Sequence, residues 1–537
     1  MFAVHCIRHV HCIHQLMSGV RLDHVNRIRI LRLGWLLPLM YLAAACTTLK
    51  PAPPQPVVSA LVPAKAGVIS EVADRAAAGF TDKDSGYLLL SRNQDALNWR
   101  LALADHATTS IDVQYFIWQD DASGNLLFDR LLRAADRGVR VRLLVDDIWL
   151  APNDAAIAAA SSHPNLEIKI FNPGYARHAV AGWLEFLAKF QELNRRMHNK
   201  LFVVDGRMAI VGGRNIGDPY FGLSERYNFR DLDVLAIGPV VAEISSAFDE
   251  YWNAELAYPG ELLSDRYSSA DLDRLRKEVG AEIRDRSRQL ASYPLQPRDW
   301  SVELAAAVQA LHKGEGHFLQ DDPVVMQGEE LKLFDMLRIL AAPSHQELLV
   351  VSPYYIPVEG RLDDLARLEN EGVRVKVLTA SLAANNHTLA HSHYKKYRRR
   401  ILDTGAELYE FRHDPAPEIR ERVDVPPVES AFVSLHTKML VGDRQRCFIG
   451  SLNLDPRALQ INTENGLYIE SPSLAAEMAY KFDVMTHPDN AWRVEMDEGR
   501  ALQWTSTAGT VYRQPARSFM QRIADFFYRL LPIESQL

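Results

Sequence analysis

The sequence predicts an α/β protein built twice from one pattern: two domains, each a mostly parallel or mixed β-sheet flanked by helices. Two observations carry this. A strand–helix–strand run in the first half returns in the second at an offset of about 234–239 residues, and a five-point polar motif returns in register with it. Composition supplies the material. At 537 residues, 47% hydrophobic and 24% charged, the chain has ordinary globular proportions and length for two to four domains of roughly 100–200 residues. That excludes disorder as a class and a multi-spanning membrane protein. Sixty Lys+Arg against 68 Asp+Glu, a formal charge of -8, argues against a dedicated nucleic-acid binder, which carries a basic surplus.

The elements follow in order. Arg27, Arg29 and Arg32 precede an apolar run from Leu33 to Leu42, then Ala43, Ala44, Ala45 and Cys46. A basic stretch, an apolar stretch and small residues make an export leader. The apolar part, about 13 residues, is shorter than the roughly 20 that cross a bilayer. Leu42–Cys46 resembles a bacterial lipoprotein signal, with Ala43 where Leu is usual. It implies a leader over 1–45, lipidation of Cys46, and a place in the bacterial cell envelope, lipid-anchored to a membrane and facing the periplasm. A plain signal peptide or an uncleaved anchor is the alternative. Met17 would open a more usual leader than Met1, so the true start is expected there. Cys6, Cys12, Cys46 and Cys447 form neither a disulfide framework nor a metal-ligand spacing.

Pro51, Pro53, Pro54, Pro56 and Pro63 make 46–70 an extended tether. The first domain spans 71–260. Ile111–Ile117 reads as a strand, Leu126–Ala135 as a helix and Arg137–Val145 as a second strand. A charged helical stretch, Asp271–Gln289, makes 261–300 a connector. The second domain, 301–537, repeats the first: Leu348–Ile356, Leu362–Leu368 and Glu371–Leu378. Strand–helix–strand at this spacing means right-handed crossovers and parallel pairing. Near the carboxyl end Phe519, Ile523, Phe526 and Leu530 recur at helical period with Arg517, Arg522 and Arg529 opposite, the pattern of an amphipathic, interfacial helix.

The motif is H-x-K-x4-D-x6-G-[GS]-x-N. It comprises His198, Lys200, Asp205, Gly212, Gly213 and Asn215, then His436, Lys438, Asp443, Gly450, Ser451 and Asn453. On a strand, positions i and i+2 share a face, so each His projects with its Lys. The apolar runs Leu201–Val204 and Ala209–Val211 read as a hairpin around Asp205-Gly206. The glycines leave room for backbone to approach a ligand, and Asn215 and Asn453 can donate amide protons toward the same point. Two imidazoles, two ammoniums and two amides fit a tetrahedral phosphodiester: the donors neutralise its oxygens, one imidazole attacks phosphorus and the other protonates the leaving oxygen. No metal and no cofactor is required.

These residues resemble the signature of the phospholipase D superfamily, over nearly the whole chain from about residue 85. The likeness is greatest to bacterial cardiolipin synthases of the C type, on Gln114–Asp120, Arg195–Lys200, Val211–Gly217 with Tyr220–Gly222, Asp231–Val234 with Ile237–Val240, Ser381–Asn385, and Gly450–Arg457 with Asn462–Glu464. The resemblance implies two phospholipase D-like domains packed as an internal pseudo-dimer. It makes His198 the nucleophile and His436 the general acid and then base. Lys200, Lys438, Asn215 and Asn453 would bind phosphate, and Asp231 and Glu464 would orient the imidazoles. Asp205 and Asp443 complete the catalytic motif and are expected to hold the hairpins. The implied partners are phospholipids (phosphatidylglycerol, phosphatidylethanolamine), a membrane surface and an accessory protein, with no nucleic acid.

Three readings stay open at this level: phosphatidyl transfer making cardiolipin, phospholipase D-type hydrolysis (with an exported nuclease behind it), and a binding scaffold, which two intact His-Lys pairs disfavour. Lys395, Lys396, Arg398, Arg399 and Arg400, after His391 and His393, read either as a solvated helix face or as a patch for anionic headgroups. Trp183, Phe186, Leu187 and Phe190 read either as core or as a rim helix for acyl chains.

Overall fold

The computed structural model describes residues 49–149, 153–174, 176–177, 185–186, 188–264, 267–323, 333, 344–358 and 360–537. The leader, Cys46, Trp183 and Leu187 lie outside them. The described residues of 49–51 and 174–190 fall in a small unit of their own, in which the Phe186 and Phe190 rings meet edge-on at 5.2 Å.

The first half is built on three parallel strands, Ser110–Tyr115, Arg140–Asp146 and Leu166–Phe171, with Val113 opposite Leu143 and Leu143 opposite Ile168. The helix Ala122–Asp136 makes the first crossover. It starts where the Asp121 carboxylate accepts from the Gly124 N–H, and it buries Leu126, Leu127, Leu131 and Leu132. The hairpin Leu201–Val204/Met208–Gly212 then adds antiparallel to Ser110–Tyr115, followed by Asp233–Ile237 and Asp84–Leu90. The second half repeats this with Glu347–Val351, Arg374–Ala380 and Glu407–Phe411 parallel, the hairpin Met439–Gly442/Arg446–Gly450, then Asn465–Glu470 and His312–Gln320.

The two halves do not keep separate sheets. Asp84–Leu90 pairs antiparallel with His312–Gln320, Gly86 opposite Lys313, so among the described residues one mixed sheet of eighteen strands runs through both. Each half thereby satisfies the other's unpaired edge. The helices Val240–Trp252 and Pro472–Thr486 both lie against His312–Gln320. Val240, Ile244, Phe248, Leu474, Met478 and Phe482 belong to one apolar core that continues between the halves.

Two sequence expectations change in detail. The connector's helix, Ser269–Asp285, opens on a capping box between Ser268 and Asp271 and packs on Ala122–Asp136, where Arg276 clamps Asp136 at 2.7 and 2.8 Å. It is therefore an outer layer of the first half. The Pro-rich segment is not free over its whole length: Val58 N donates to Asn253, Ala60 N to Asp249 and Ala64 N to the Asp205 carbonyl. Among the described residues no helix is long and apolar enough to cross a membrane.

Candidate active site

His198 to Lys200 and His436 to Lys438 do not lie within the hairpin strands, as their spacing suggested, but in short links just ahead of Leu201 and Met439. The cause is a change of ladder partner. Met197 bridges in parallel to Thr463 of the other half, and Val433–Leu435 pairs in parallel with Asn228–Arg230. Four residues on, at Leu201 and Met439, each segment has returned to its own half. His198 N donates to the Thr463 carbonyl at 2.8 Å and His436 N to the Arg230 carbonyl at 2.9 Å, so the two links are related by the same pseudo-twofold. Each imidazole is thus delivered to the seam between the halves.

The carboxylates cross that seam. Glu464, in the second half, stands 2.7 Å from His198 Nδ1 in the first, and Asp231, in the first half, stands 2.5 Å from His436 Nδ1 in the second. Both carboxylates are fully buried. A carboxylate on Nδ1 fixes the Nδ1–H tautomer and leaves the Nε2 lone pair for chemistry. Lys438 Nζ also lies 2.9 Å from His436 Nδ1. One ring nitrogen cannot donate to Asp231 and accept from an ammonium together; the shorter carboxylate contact fixes Nδ1–H, and Lys438 donates to the His436 carbonyl instead. Lys200 likewise donates to the His198 carbonyl.

Burial governs the titrations. It pushes the Lys200 ammonium down to about 7, with Lys438 adding repulsion, and Lys438 down to about 8. Burial and then Lys200 hold His198 well below the usual imidazole range; burial and then Lys438 take His436 to about 3, against the pull of Asp231. Both imidazoles are therefore neutral before a ligand arrives. The two carboxyls differ. Burial opposes ionisation of Glu464 and drives its carboxyl well up, against the pull of Lys200. For Asp231 burial is outweighed by His436 and Lys438, and it stays an anion.

Aromatic rings pack on both imidazoles. Phe116 stands edge-on to His198 at 4.8 Å, while Phe229 and Tyr220 lie 4.6 and 5.2 Å from the His436 ring. Sequence reasoning gave these three no role, although Phe116 and Tyr220 fall inside quoted runs. Asp146 was also missed. It ends the parallel strand Arg140–Asp146 and accepts from Met197 N at 2.9 Å, anchoring the chain that enters His198; burial pushes its carboxyl up to about 7. A carboxylate at the carboxyl end of a parallel strand was the available signal.

The remaining motif residues divide. The Asp205 carboxylate accepts from the N–H and hydroxyl of both Thr108 and Thr109 and from Ser110 N; Asp443 accepts from His345, Gln346 and Glu347 N. Both aspartates sit at positive φ in their hairpin turns and lock those turns to the neighbouring strand. The glycines serve the fold rather than a ligand: a Cβ on Gly213 would stand 2.4 Å from Asp231 Oδ1, and one on Gly450 would stand 2.3 Å from the Asn465 carbonyl. Ser451, which replaces the second glycine, donates its hydroxyl to Glu464. Asn215 Nδ2 donates to Tyr220 Oη at 2.9 Å and its Oδ1 accepts from Ile117 N, so it is partly engaged. Asn453 keeps a buried Oδ1 without a partner. The basic run is likewise engaged. Arg398 is buried on Glu410, Lys395 pairs with Asp525 and Lys396 with Glu534; only Lys396, Arg399 and Arg400 are exposed.

A duplicated α/β half, two seam imidazoles and two buried ammoniums define an enzyme of the phospholipase D superfamily. The chain belongs to the family described as "Cardiolipin synthase, PLD-like domain", which matches residues 101–252 and 337–486. It is 36% identical to cardiolipin synthase C of Escherichia coli K12 over 84% of this chain and 95% of that one. It is 29% identical to an uncharacterized protein of Helicobacter pylori 26695, over 83% and 89%. Among solved structures the phosphatidylserine synthase of Haemophilus influenzae Rd KW20 shares the fold, with a TM-score of 0.55, 15% identity and coverage of 87% and 100%.

Proposed function

We propose that this protein moves a phosphatidyl group from one phospholipid to the glycerol headgroup of another, making cardiolipin through a phosphohistidine. It would do so at a membrane of the bacterial envelope, tethered through Cys46 and facing the periplasm. The observation that carries the reading is the crossed pair of clamps, Glu464 on His198 and Asp231 on His436, around two buried lysines. The likeness to cardiolipin synthase C supports the choice of product.

The chemistry follows from the differences between the clamps. Glu464 accepts the Nδ1 proton of a neutral His198, so Nε2 keeps its lone pair and is the nucleophile. It attacks phosphorus as the bond to the donor's headgroup oxygen breaks. Asp231 stays anionic and favours an imidazolium at His436. The bound phosphodiester's negative charge offsets the lysines that hold His436 low, so His436 can carry the proton that Nε2 gives to the leaving oxygen. Lys200 and Lys438 neutralise the non-bridging oxygens. In the second step neutral His436 takes the proton of the acceptor's hydroxyl, whose oxygen attacks phosphorus and breaks the P–N bond. Phe116, Phe229 and Tyr220 pack on the imidazoles and limit water there, which favours a lipid alcohol over hydrolysis.

The test is the product profile. Purified protein is incubated in vesicles containing phosphatidylglycerol, with and without phosphatidylethanolamine, and with and without cell extract for an accessory protein. Products are identified by mass. A diphosphatidyl lipid is expected. Phosphatidic acid accumulating alone under every condition would replace the synthase reading with a phospholipase.

A further inference from the structure

The carboxy-terminal helix Phe519–Tyr528 packs with its polar side inward. Gln521 and Asp525 are buried, at 8% and 1% exposure, while Phe519, Met520, Phe526 and Phe527 are 72%, 68%, 59% and 60% exposed, and Leu530 beyond them is 66% exposed. An amphipathic helix on a globular domain ordinarily buries the apolar stripe. Here the inward side is specified by polar contacts. Gln521 Nε2 donates to the Leu382 carbonyl at 2.7 Å, and its Oε1 accepts from Arg517 N at 2.9 Å. The Asp525 carboxylate takes His391 Nδ1 at 3.1 Å, Gln514 Nε2 at 2.9 Å and the Lys395 ammonium. Rolling the helix to cover its phenylalanines would break all of these and strand a buried His and Lys. The exposed face is thus built in, and a contiguous apolar patch on a protein surface marks an interaction site.

Charge selects what covers it. From Arg513 onward the side-chain carboxylates are Asp525 and Glu534. Both turn inward, Asp525 as above and Glu534 onto Lys396, Tyr397 and His393. In the same stretch Arg513 and Arg529 are exposed and Arg522 is half-buried. A second copy apposed there would bring arginines against arginines, whereas anionic headgroups above an acyl layer complement aromatic and basic side chains together.

The helix also begins beside the site. The Arg517 guanidinium lies 3.5 Å from the Phe432 ring centre and donates to the Ala383 carbonyl. Phe432 lies against Tyr227 at 5.3 Å, Tyr227 against Phe229 at 5.2 Å, and Phe229 against His436 at 4.6 Å. A row of three rings joins the helix start to the imidazole.

We propose that this inverted helix docks the enzyme on an anionic phospholipid bilayer, with the ring row leading from that surface to the catalytic seam. The proposal deepens the reading of the site as acting on bilayer lipids and rests on it.

The test uses the full-length chain and the double variant Phe526→Asp/Phe527→Asp, whose fold is checked by its melting curve. Neither residue touches the site. With vesicles containing phosphatidylglycerol, hydrogen exchange over 519–531 is expected to slow in the wild type, not with phosphatidylcholine alone and not in the variant. Turnover on those vesicles is expected to fall by roughly tenfold or more in the variant, with turnover on short-chain monomeric phosphatidylglycerol unchanged. Unchanged exchange in the wild type, equal loss on both substrates, or a lipid-free dimer that the variant dissociates would overturn the docking surface. No turnover of either lipid by the wild type would instead overturn the functional reading; the exchange result still decides docking.

Discussion

Glu464→Gln removes an ionisable group and almost no volume from the most enclosed part of the site. The Glu464 Oε2 atom receives His198 Nδ1 at 2.7 Å and the Ser451 hydroxyl, and Oε1 is buried without a partner. A glutamine has two ways to sit there. With its oxygen at the Oε2 position it preserves the Nδ1–H tautomer, but it buries an NH2 group with nothing to receive it. Turned over, it offers an N–H to Nδ1, forces the proton to Nε2 and removes the nucleophilic lone pair. Either way the charge-assisted bond to the imidazole is lost. Such bonds are worth about 1.5–3 kcal/mol, and the stranded group costs about 1–3 kcal/mol. At 1.36 kcal/mol per tenfold, the bond alone predicts a fall in kcat of about 10- to 150-fold, with KM nearly unchanged because Lys200 and Lys438 remain. The assay measures headgroup release against lipid concentration, with Asp231→Asn in parallel. It is repeated on a phosphodiester whose leaving group is p-nitrophenol, which departs without a proton. Asp231→Asn, acting through His436, should be largely rescued by that substrate, and Glu464→Gln should not. Rescue of Glu464→Gln alone would exchange the roles of the two histidines; an unimpaired Glu464→Gln would refute the positioning argument.

Other expectations can be measured directly. Lys200 and Lys438, pushed down to about 7 and 8 by burial, lose their charge as pH rises through that range; kcat/KM should therefore fall between pH 7 and 8, while the limb in kcat lies higher because a bound anionic phosphodiester restores both pKa values. Asp205→Asn keeps a residue type that tolerates positive φ but loses a multiply hydrogen-bonded carboxylate, so it should lower stability by about 2–3 kcal/mol in chemical denaturation and leave kcat per folded molecule unchanged. Cys46→Ser should release the protein from membranes or leave it unprocessed; unchanged fatty-acid labelling and mobility would contradict a lipid anchor.

The duplicated motif made the site legible because chemistry at a phosphodiester demands particular side chains at a fixed spacing, and that spacing survives in one dimension. The repeat marked His198, Lys200, His436 and Lys438 as candidates, and the structure brings them to the seam; the hairpins that follow them were readable from apolar runs and turn residues, which are local signals. The crossing of Glu464 to His198 and Asp231 to His436 was not readable. It depends on which half the chain pairs with at Met197 and Leu435, a long-range choice with no local signature. The glycines were read as space for a ligand because an absent side chain does not say what fills its place; Asp231 and the Asn465 carbonyl do. The periodicity of Phe519, Ile523, Phe526 and Leu530 correctly marked a helix, but period alone cannot tell which face turns inward. Asp525 and Gln521 decide that through partners more than a hundred residues away in sequence. The same Asp525 explains why Lys395 of the basic run turns inward, as Glu410 explains the burial of Arg398.

The central claim is a covalent intermediate on one particular ring nitrogen, and trapping it is the most direct measurement. In the His436→Asn variant the proposed nucleophile and its Glu464 clamp remain, but both the acid for the first step and the base for the second are gone. Incubated with a phosphatidyl ester of p-nitrophenol, which departs without the proton His436 would supply, and quenched, that variant is predicted to carry a phosphatidyl adduct on His198, located by mass spectrometry of its peptides and absent from His198→Asn. No adduct on either histidine, or an adduct on His436 in the His198→Asn variant with none on His198, would contradict the account.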